Sequence, residues 1–291
     1  GLPVLRFIMD VRGTNALFLK LAGDLSSVAA GPAYLRAVVL PTEACLFSAE
    51  DLVASFYLVQ LPLEWHRYFT FRKPVRGRDL GLNVEGDVFL SAVVLPMGFS
   101  CATGFMQSWH RRLALQPPAS LRGWRAGLPA SAEVRGDSPF PLSASEGDRA
   151  AWSIYIDDFL EMQVLQREAA AVKEGMVSDH QGTLRLSYAD SGVPRNVDKT
   201  IESASQVEHV GYSLDGKEAW VGLKTERLLE LVSVGLYLMR RTRCPLLFLQ
   251  VWAGKAAHAL QVRRALWSFL FHFWKAFRSP ELTQVPRCLT T

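Results

Sequence analysis

Two adjacent carboxylates stand inside a strand-like apolar run, Ile154-Tyr155-Ile156-Asp157-Asp158-Phe159-Leu160. Charge in such a run is costly to bury unless a partner neutralises it. Hard divalent cations such as Mg2+ prefer carboxylate oxygens and are one such partner. A surface hairpin with Asp-Asp at its tip also fits, because Asp is a common turn residue. The rest of the chain bears on the choice.

The chain has 291 residues, 49% of them apolar, enough to bury a sizeable core. Charged residues make up 21%, which argues against global disorder. The net charge of +4 is compatible with a polyanionic partner, but where the charge lies matters more than the total. Cys45, Cys101, Cys244 and Cys288 are far apart and form no C-x-x-C pair. That excludes a zinc ribbon and gives no disulfide framework, so a reducing intracellular compartment, cytoplasm or nucleus, is expected. The apolar stretches 245–252 and 265–274 are too short or too interrupted to span a bilayer, and no secretory leader opens the chain. It starts without Met in an apolar run and reads as a segment of something longer.

Along the chain, 2–11 reads as a strand, 13–15 as a turn and 16–30 as mixed and partly helical. Residues 65–71 are aromatic and β-like, 75–87 a Gly-rich hairpin and 88–95 a further strand. Phe105, Trp109 and Leu113 at helical spacing predict a helix over 98–114. Residues 116–150, rich in Pro, Gly, Ser and Ala, read as a flexible surface insertion. A strand or hairpin is expected over 151–160, a helix over 161–173, and strands over 183–189 and 207–214. From Lys224 onward the pattern is helical. Leu228, Leu229, Val232 and Leu236 mark one face, and further helices follow over 246–260 and 262–277. Trp252, Trp267 and Trp274 read as core rather than base-stacking groups.

Asp51 lies in Glu50-Asp51-Leu52-Val53-Ala54-Ser55-Phe56-Tyr57. Alone, Ser48-x-x-Asp51 fits a capping box that opens a helix. Its company gives it another meaning. The chain shows, in order, 6–15 (Arg6-Phe-Ile-Met-Asp10-Val-Arg12-Gly-Thr-Asn15), Asp51-Leu-Val-Ala-Ser-Phe56, Leu95-Pro-Met97-Gly98-Phe99 running into Phe105-Met-Gln107, Tyr155-Ile-Asp157-Asp158, Val197-Asp-Lys199 and His209-Val210-Gly211-Tyr212. This ordered series resembles the polymerase motifs of the reverse transcriptases of retroviruses and LTR-type retrotransposons. The resemblance covers nearly the whole chain and is weakest in its last third.

The resemblance implies an α+β right-hand polymerase with an antiparallel-sheet palm, partial fingers and a helical thumb. The expected division is 1–98 for partial fingers including a palm strand at 47–62, 99–220 for palm, 221–279 for thumb or connection, and 280–291 for a tail. The implied activity is RNA-directed DNA polymerisation from dNTPs on a primed RNA or DNA template. Nucleotidyl transfer of this kind is an in-line displacement in which one metal activates the primer 3′-hydroxyl and another neutralises the leaving pyrophosphate. Two Mg2+ ions, with Mn2+ as substitute, would be held principally by Asp51 and Asp157. Asp158 is expected to be weaker, since strand neighbours point to opposite faces.

By the same resemblance, Arg6 matches the arginine that holds the triphosphate and Phe56 the ring that disfavours a ribose 2′-hydroxyl. Met97 and Gly98 match the turn beneath the nucleotide, Lys199 a general acid for pyrophosphate, and His209, Val210, Gly211 and Tyr212 the primer-holding hairpin. Asp10 and Arg12 read as a structural ion pair. Arg240, Arg241, Arg243, Lys255, Arg263 and Arg264 suit a grip on a nucleic-acid backbone; a solvated helix face is the plainer reading. Met97 departs from the Gln common in retroviral enzymes, and the start of the fingers is expected to be missing. No acidic cluster for RNase H and no Cys/His array for an integrase zinc site is seen. Two rivals remain: a decayed retroelement relic that binds nucleic acid without catalysis, and a metal-dependent hydrolase or prenyl transferase using Asp157-Asp158.

Overall fold

The computed structural model describes residues 9–19, 23–29, 31–116, 127–141, 149–240 and 244–278. In chain order its elements begin with a single helical turn α1 (Arg12–Asn15), strand β1 (Glu43–Asp51), short strands β2 (Val75–Arg76) and β3 (Asp87–Val88), and helix α2 (Ala102–Leu115). Strands β4 (Arg149–Tyr155) and β5 (Asp158–Gln166) follow, then helices α3 (Arg167–Lys173) and α4 (Asp179–Asp190). Next come strands β6 (Ile201–Ala204), β7 (Gln206–His209), β8 (Tyr212–Asp215) and β9 (Trp220–Leu223), and helices α5 (Thr225–Met239), α6 (Leu246–Leu260) and α7 (Phe271–Phe277).

The centre is an antiparallel sheet in the order β4-β5-β1-β6, beside a meander β7-β8-β9 and the small β2-β3 hairpin. Alternation along the strands separates two apolar faces. Phe47, Ala151, Leu160, Met162 and Val164 face Tyr34, Val207 and Leu214. Trp152, Ile154 and Phe159 face Leu184 and Tyr188 of α4 and Ala114 of α2. Full burial of side chains such as Phe159 and Leu160 contributes roughly 1.5–3 kcal/mol each. The central strands are therefore covered on both sides, and only their ends are open to a ligand.

Several expectations need correction. The strand expected over 47–62 is β1, which starts at Glu43 and stops at Asp51; a 3-10 turn at Ser55–Leu58 follows. Residues 161–166 are strand, not helix. Leu160, Met162 and Val164 carry the period of two, but Glu161 hides it. Its carboxylate is buried against Ser178 and lies 3.2 Å from His180. Residues 183–189 are helix, not strand. Ser178 caps α4 by accepting the Gln181 N–H at 3.1 Å. Leu184 and Tyr188 are buried four residues apart, while the intervening Leu186 is exposed. The aromatic stretch 65–71 lies largely in a 3-10 helix, Leu63–Phe69, that starts after Pro62. In 88–95, ladder pairing stops at Val88, and Ser91 and Val94 make isolated bridges.

The expected surface insertion is only partly that. Leu128 and Val134 are buried, Val134 N–H donates to Trp152 O at 2.7 Å, and the buried Glu133 accepts from Arg111 Nη2 at 2.7 Å. Between 16 and 30 the described residues hold one 3-10 turn, Leu25–Ser27, and Met9 to Val11 are not in a strand. The helix expected over 262–277 is a 3-10 segment, Gln261–Leu270, broken at Arg263 and followed by α7. Leu228, Leu229, Val232 and Leu236 of α5, and Trp267 and Trp274, are exposed rather than core. Trp252 is half-buried and donates to Leu231 O at 3.1 Å.

Candidate active site

Asp51 ends β1 and Asp158 begins β5, and the two are direct cross-strand partners at the last rung of the ladder. Residues opposed in this way project from the same face of a sheet. Burial first, then a hydrogen bond to Asp51 and the charges of Asp157 and Asp51, push the Asp158 carboxyl up to about 7, against the pull of Lys199. Asp158 therefore holds its proton to higher pH than an ordinary carboxyl does. Asp157 sits in the turn just before, and its carbonyl accepts the Leu52 N–H at 3.3 Å. The turn is thus tied to the residue that follows Asp51. Among the described residues, no group of three or more His, Cys, Asp or Glu is arranged to hold a metal ion unaided.

The turn has an unusual backbone. Ile156 has φ of 60°, a left-handed conformation that a β-branched residue adopts only against strain. Helix α2 holds it there. Gln107, fully buried, accepts the Ile156 N–H at 2.8 Å and donates to Ile154 O at 3.0 Å. His110 Nδ1 donates to Ile156 O at 3.0 Å, and its Nε2 accepts from the Tyr188 hydroxyl at 2.6 Å. Burial lowers the His110 pKa to about 4, so the ring is neutral and one tautomer serves both bonds. Sequence reasoning gave Gln107 no role and missed His110 and Tyr188. The available signal was the three-residue spacing of Gln107 and His110, which puts both on one face of α2.

On the open side, Lys199 Nζ donates to Asp51 Oδ2 at 2.9 Å, and Asn196 Nδ2 donates to the same oxygen at 3.2 Å. The Asp51 side chain is 16% exposed and that of Lys199 61%. The bond to Asp51 raises the lysine pKa. A pair this exposed contributes at most about 1 kcal/mol, so its main effect is on placement.

Phe56 is half-buried against the cluster of Val11, Leu61, Phe69, Leu95 and Phe99, which Ile156 also touches. Met97 is half-buried. Gly98, at φ of 101°, has a backbone that a side chain would strain, and a Cβ there would meet Met9 O at 3.3 Å. Asn15 braces this turn, donating to Gly98 O at 3.0 Å and accepting from Ser100 N at 2.9 Å. Asp10 and Arg12 do pair, at 2.7 Å, fully in solvent. Arg6 lies outside the described residues.

His209, Val210, Gly211 and Tyr212 form the β7-β8 turn. Buried His209 packs its ring edge-on to Tyr155 at 6.3 Å, which sets this turn beside the carboxylate turn. Burial lowers the His209 pKa to about 4. Tyr212 is buried against Gly31 and donates to His258 O at 2.8 Å. Arg240, Arg263 and Arg264 are exposed on the helical segment, and Lys255 lies 3.4 Å from Glu230. Arg241 and Arg243 lie outside the described residues.

No protein-family model matches the chain, and no curated protein matches it in sequence. Its fold is similar to that of a foamy viral protease-reverse transcriptase solved with double-stranded DNA. The TM-score is 0.53 at 13% identity, covering 96% of this chain and 39% of that one. A second structure of the foamy viral protease-reverse transcriptase with double-stranded DNA aligns at a TM-score of 0.49 and 14% identity, covering 87% of this chain and 40% of that one. The chain thus spans about two fifths of the length of these structures. The first likeness defines a fold of the reverse-transcriptase kind, mixing helices with antiparallel sheet. No helix among the described residues is long and apolar enough to cross a membrane.

Proposed function

We propose that this chain is the polymerase region of a reverse transcriptase, an RNA-directed DNA polymerase of a retrovirus-like or LTR-type retroelement. It extends a primer with dNTPs on an RNA or DNA template. The observation that carries this reading is the convergence of Asp51, Asp157 and Asp158 at the open end of β1 and β5, in a fold similar to that of a viral reverse transcriptase. In the terms of that reading, the central sheet with α2 and α4 is palm, the segment carrying β2 and β3 is fingers, and α5 to α7 are thumb.

The site fits Mg2+, or Mn2+ in its place, by its donor chemistry. Its oxygens are hard, and burial, then the neighbouring carboxylates, make Asp158 keep a proton to higher pH than an ordinary carboxyl. Mg2+ is ordinarily held by one or two carboxylates together with waters and substrate phosphates, not by an all-protein cage. Asp51 and Asp157 would hold the ions, with Asp158 in support. When bound, they supply the chemistry of a two-metal site: a more acidic primer hydroxyl and a stabilised pyrophosphate.

The chain's own residues do the rest. Lys199, which carries a proton and bonds to Asp51, protonates the departing pyrophosphate. Phe56 presents a ring that excludes a ribose 2′-hydroxyl, and Gly98 lets backbone approach the base pair. Met97 lacks the amide of a Gln and so gives up one hydrogen bond to the nucleotide. His209, Val210, Gly211 and Tyr212 hold the primer end beside the carboxylates. Arg6 contacts the triphosphate, and the basic residues of the helical segment grip phosphates along the duplex.

Primer extension with the full parental reading frame tests the proposal. Mg2+-dependent extension that disappears in Asp51→Asn or Asp157→Asn, with folding intact, supports it. Extension retained in either variant refutes the ligand assignment. Template-primer binding without extension in the wild type indicates a relic that has kept only its grip.

A further inference from the structure

Glu50 and Asp51 are neighbours in β1 and point to opposite faces of the sheet. Asp51 faces the site. Glu50, its side chain 0% exposed, is sealed beneath α4. There its Oε1 accepts from Arg185 Nε at 2.6 Å and Gln181 Nε2 at 2.9 Å, and its Oε2 accepts from Thr200 Oγ1 at 3.0 Å and Arg195 Nη1 at 3.4 Å. A carboxylate buried this deeply is tolerated because every oxygen is partnered by charge-assisted bonds.

Residues 194–200 straddle the end of β1 and touch both faces. Pro194 O accepts the Val53 N–H at 3.0 Å, and the Asn196 N–H donates to Asp51 O at 2.7 Å. From this short stretch Arg195 and Thr200 reach Glu50 on the covered face, while Asn196 and Lys199 reach Asp51 Oδ2 on the open face. A single 3-10 turn, Val197–Lys199, joins the two contacts, with Thr200 Oγ1 also accepting from Arg195 Nη1 at 3.2 Å. Lys199 has a long flexible stem, yet its backbone is fixed from both ends.

We infer that Asn196 and Thr200 are positioning residues for the reaction, with buried Glu50 as their anchor. Asn196 fixes the rotamer of Asp51. Thr200 transmits the placement of Glu50 to the turn that delivers Lys199. The inference rests on the polymerase reading for the roles of Asp51 and Lys199, but the clip itself does not.

The test uses Asn196→Ala and Thr200→Val, which remove polar atoms at the surface end of the network and leave Glu50 with Arg185 and Gln181. Two readouts are needed. In primer extension, kcat falls about tenfold in each variant with KM for dNTP and template-primer binding held within about twofold. In a Lys199→Ala background Thr200→Val costs less than about twofold more, because it acts through that lysine, whereas Asn196→Ala, which acts on Asp51, keeps its cost. Amide hydrogen exchange, read without activity, is faster by about tenfold or more at Asn196, Lys199 and Thr200 in Thr200→Val and unchanged in β5. Wild-type kcat in either variant, or a full tenfold loss from Thr200→Val repeated without Lys199, overturns the inference. So does unchanged exchange. If the wild type extends no primer, the polymerase reading fails, and exchange alone then decides the clip.

Discussion

Asp51 and Asp158 face each other across β1 and β5 at the last rung of the ladder. Burial, and then the nearby carboxylates of Asp51 and Asp157, disfavour the ionised form of Asp158, a cost that a cation or a proton relieves.

If this group is the proposed catalytic site, removing one charge from it should leave the fold and stop the chemistry. Asp51→Asn and Asp157→Asn are expected to keep the wild-type melting temperature within a few degrees while lowering primer extension by at least about a thousandfold. Calorimetry alongside a gel extension assay reads both quantities, and a mutant that still polymerises counts against the site.

The raised Asp158 pKa has a definite sign in a stability profile. The unfolded chain releases this proton near 3.8 and the folded protein only near 7. Stability from this group is therefore full at low pH and declines as pH rises, with the loss complete above about 7. Buried His110 and His209, lowered to about 4, work the other way and weaken the fold as pH falls below the ordinary histidine range. Comparing wild type with Asp158→Asn isolates the carboxyl. The Asn variant should gain in melting temperature relative to wild type between about pH 5 and pH 8 without divalent metal. A constant difference across that range would falsify the assignment.

Gln107 should matter more than its distance in sequence from the carboxylates suggests. Gln107→Leu strips the partners from Ile156 N and Ile154 O, each loss costing about 1–3 kcal/mol. Denaturant titration should show destabilisation of about 2–6 kcal/mol, the sum of the two losses. Extension should drop more than tenfold even in conditions where the variant is fully folded. Normal activity in the folded variant would mean that the turn does not need α2.

Phe56 offers a specificity test. Phe56→Val should raise incorporation of ribonucleotides relative to deoxyribonucleotides by about tenfold or more, since the smaller side chain admits a 2′-hydroxyl. Competition assays on one template give the ratio. An unchanged ratio would show that the ring serves only the cluster of Leu61, Phe69, Leu95 and Phe99 into which it packs.

The sequence announced the parts of this site that local chemistry forces into the open. Asp157 and Asp158 stood out because charge is rare in a β-branched run, and Gly98 and Gly211 through the resemblance, as places where backbones approach closely; both have positive φ. The hairpin at 75–88 was legible from its glycines, whereas 207–214, read as one strand, is the two strands β7 and β8 joined by the Val210-Gly211 turn that only the resemblance implied. What escaped notice was polar chemistry hidden in packed elements. Glu161 disguised β5 as helix, and the exposed Leu186 disguised α4 as strand. Gln107 and His110 look like ordinary helix residues until the fold brings Ile156 against them.

Tyr212 touches Gly31 with its ring and α6 with its hydroxyl, and it directly follows the Val210-Gly211 turn. It works as a keystone between the sheet and the C-terminal helices. A swing of α6 away from the sheet would break the bond from the Tyr212 hydroxyl to His258 O, one residue from the turn that lies beside Tyr155, so the position of the helical arm bears on the carboxylate end of the protein.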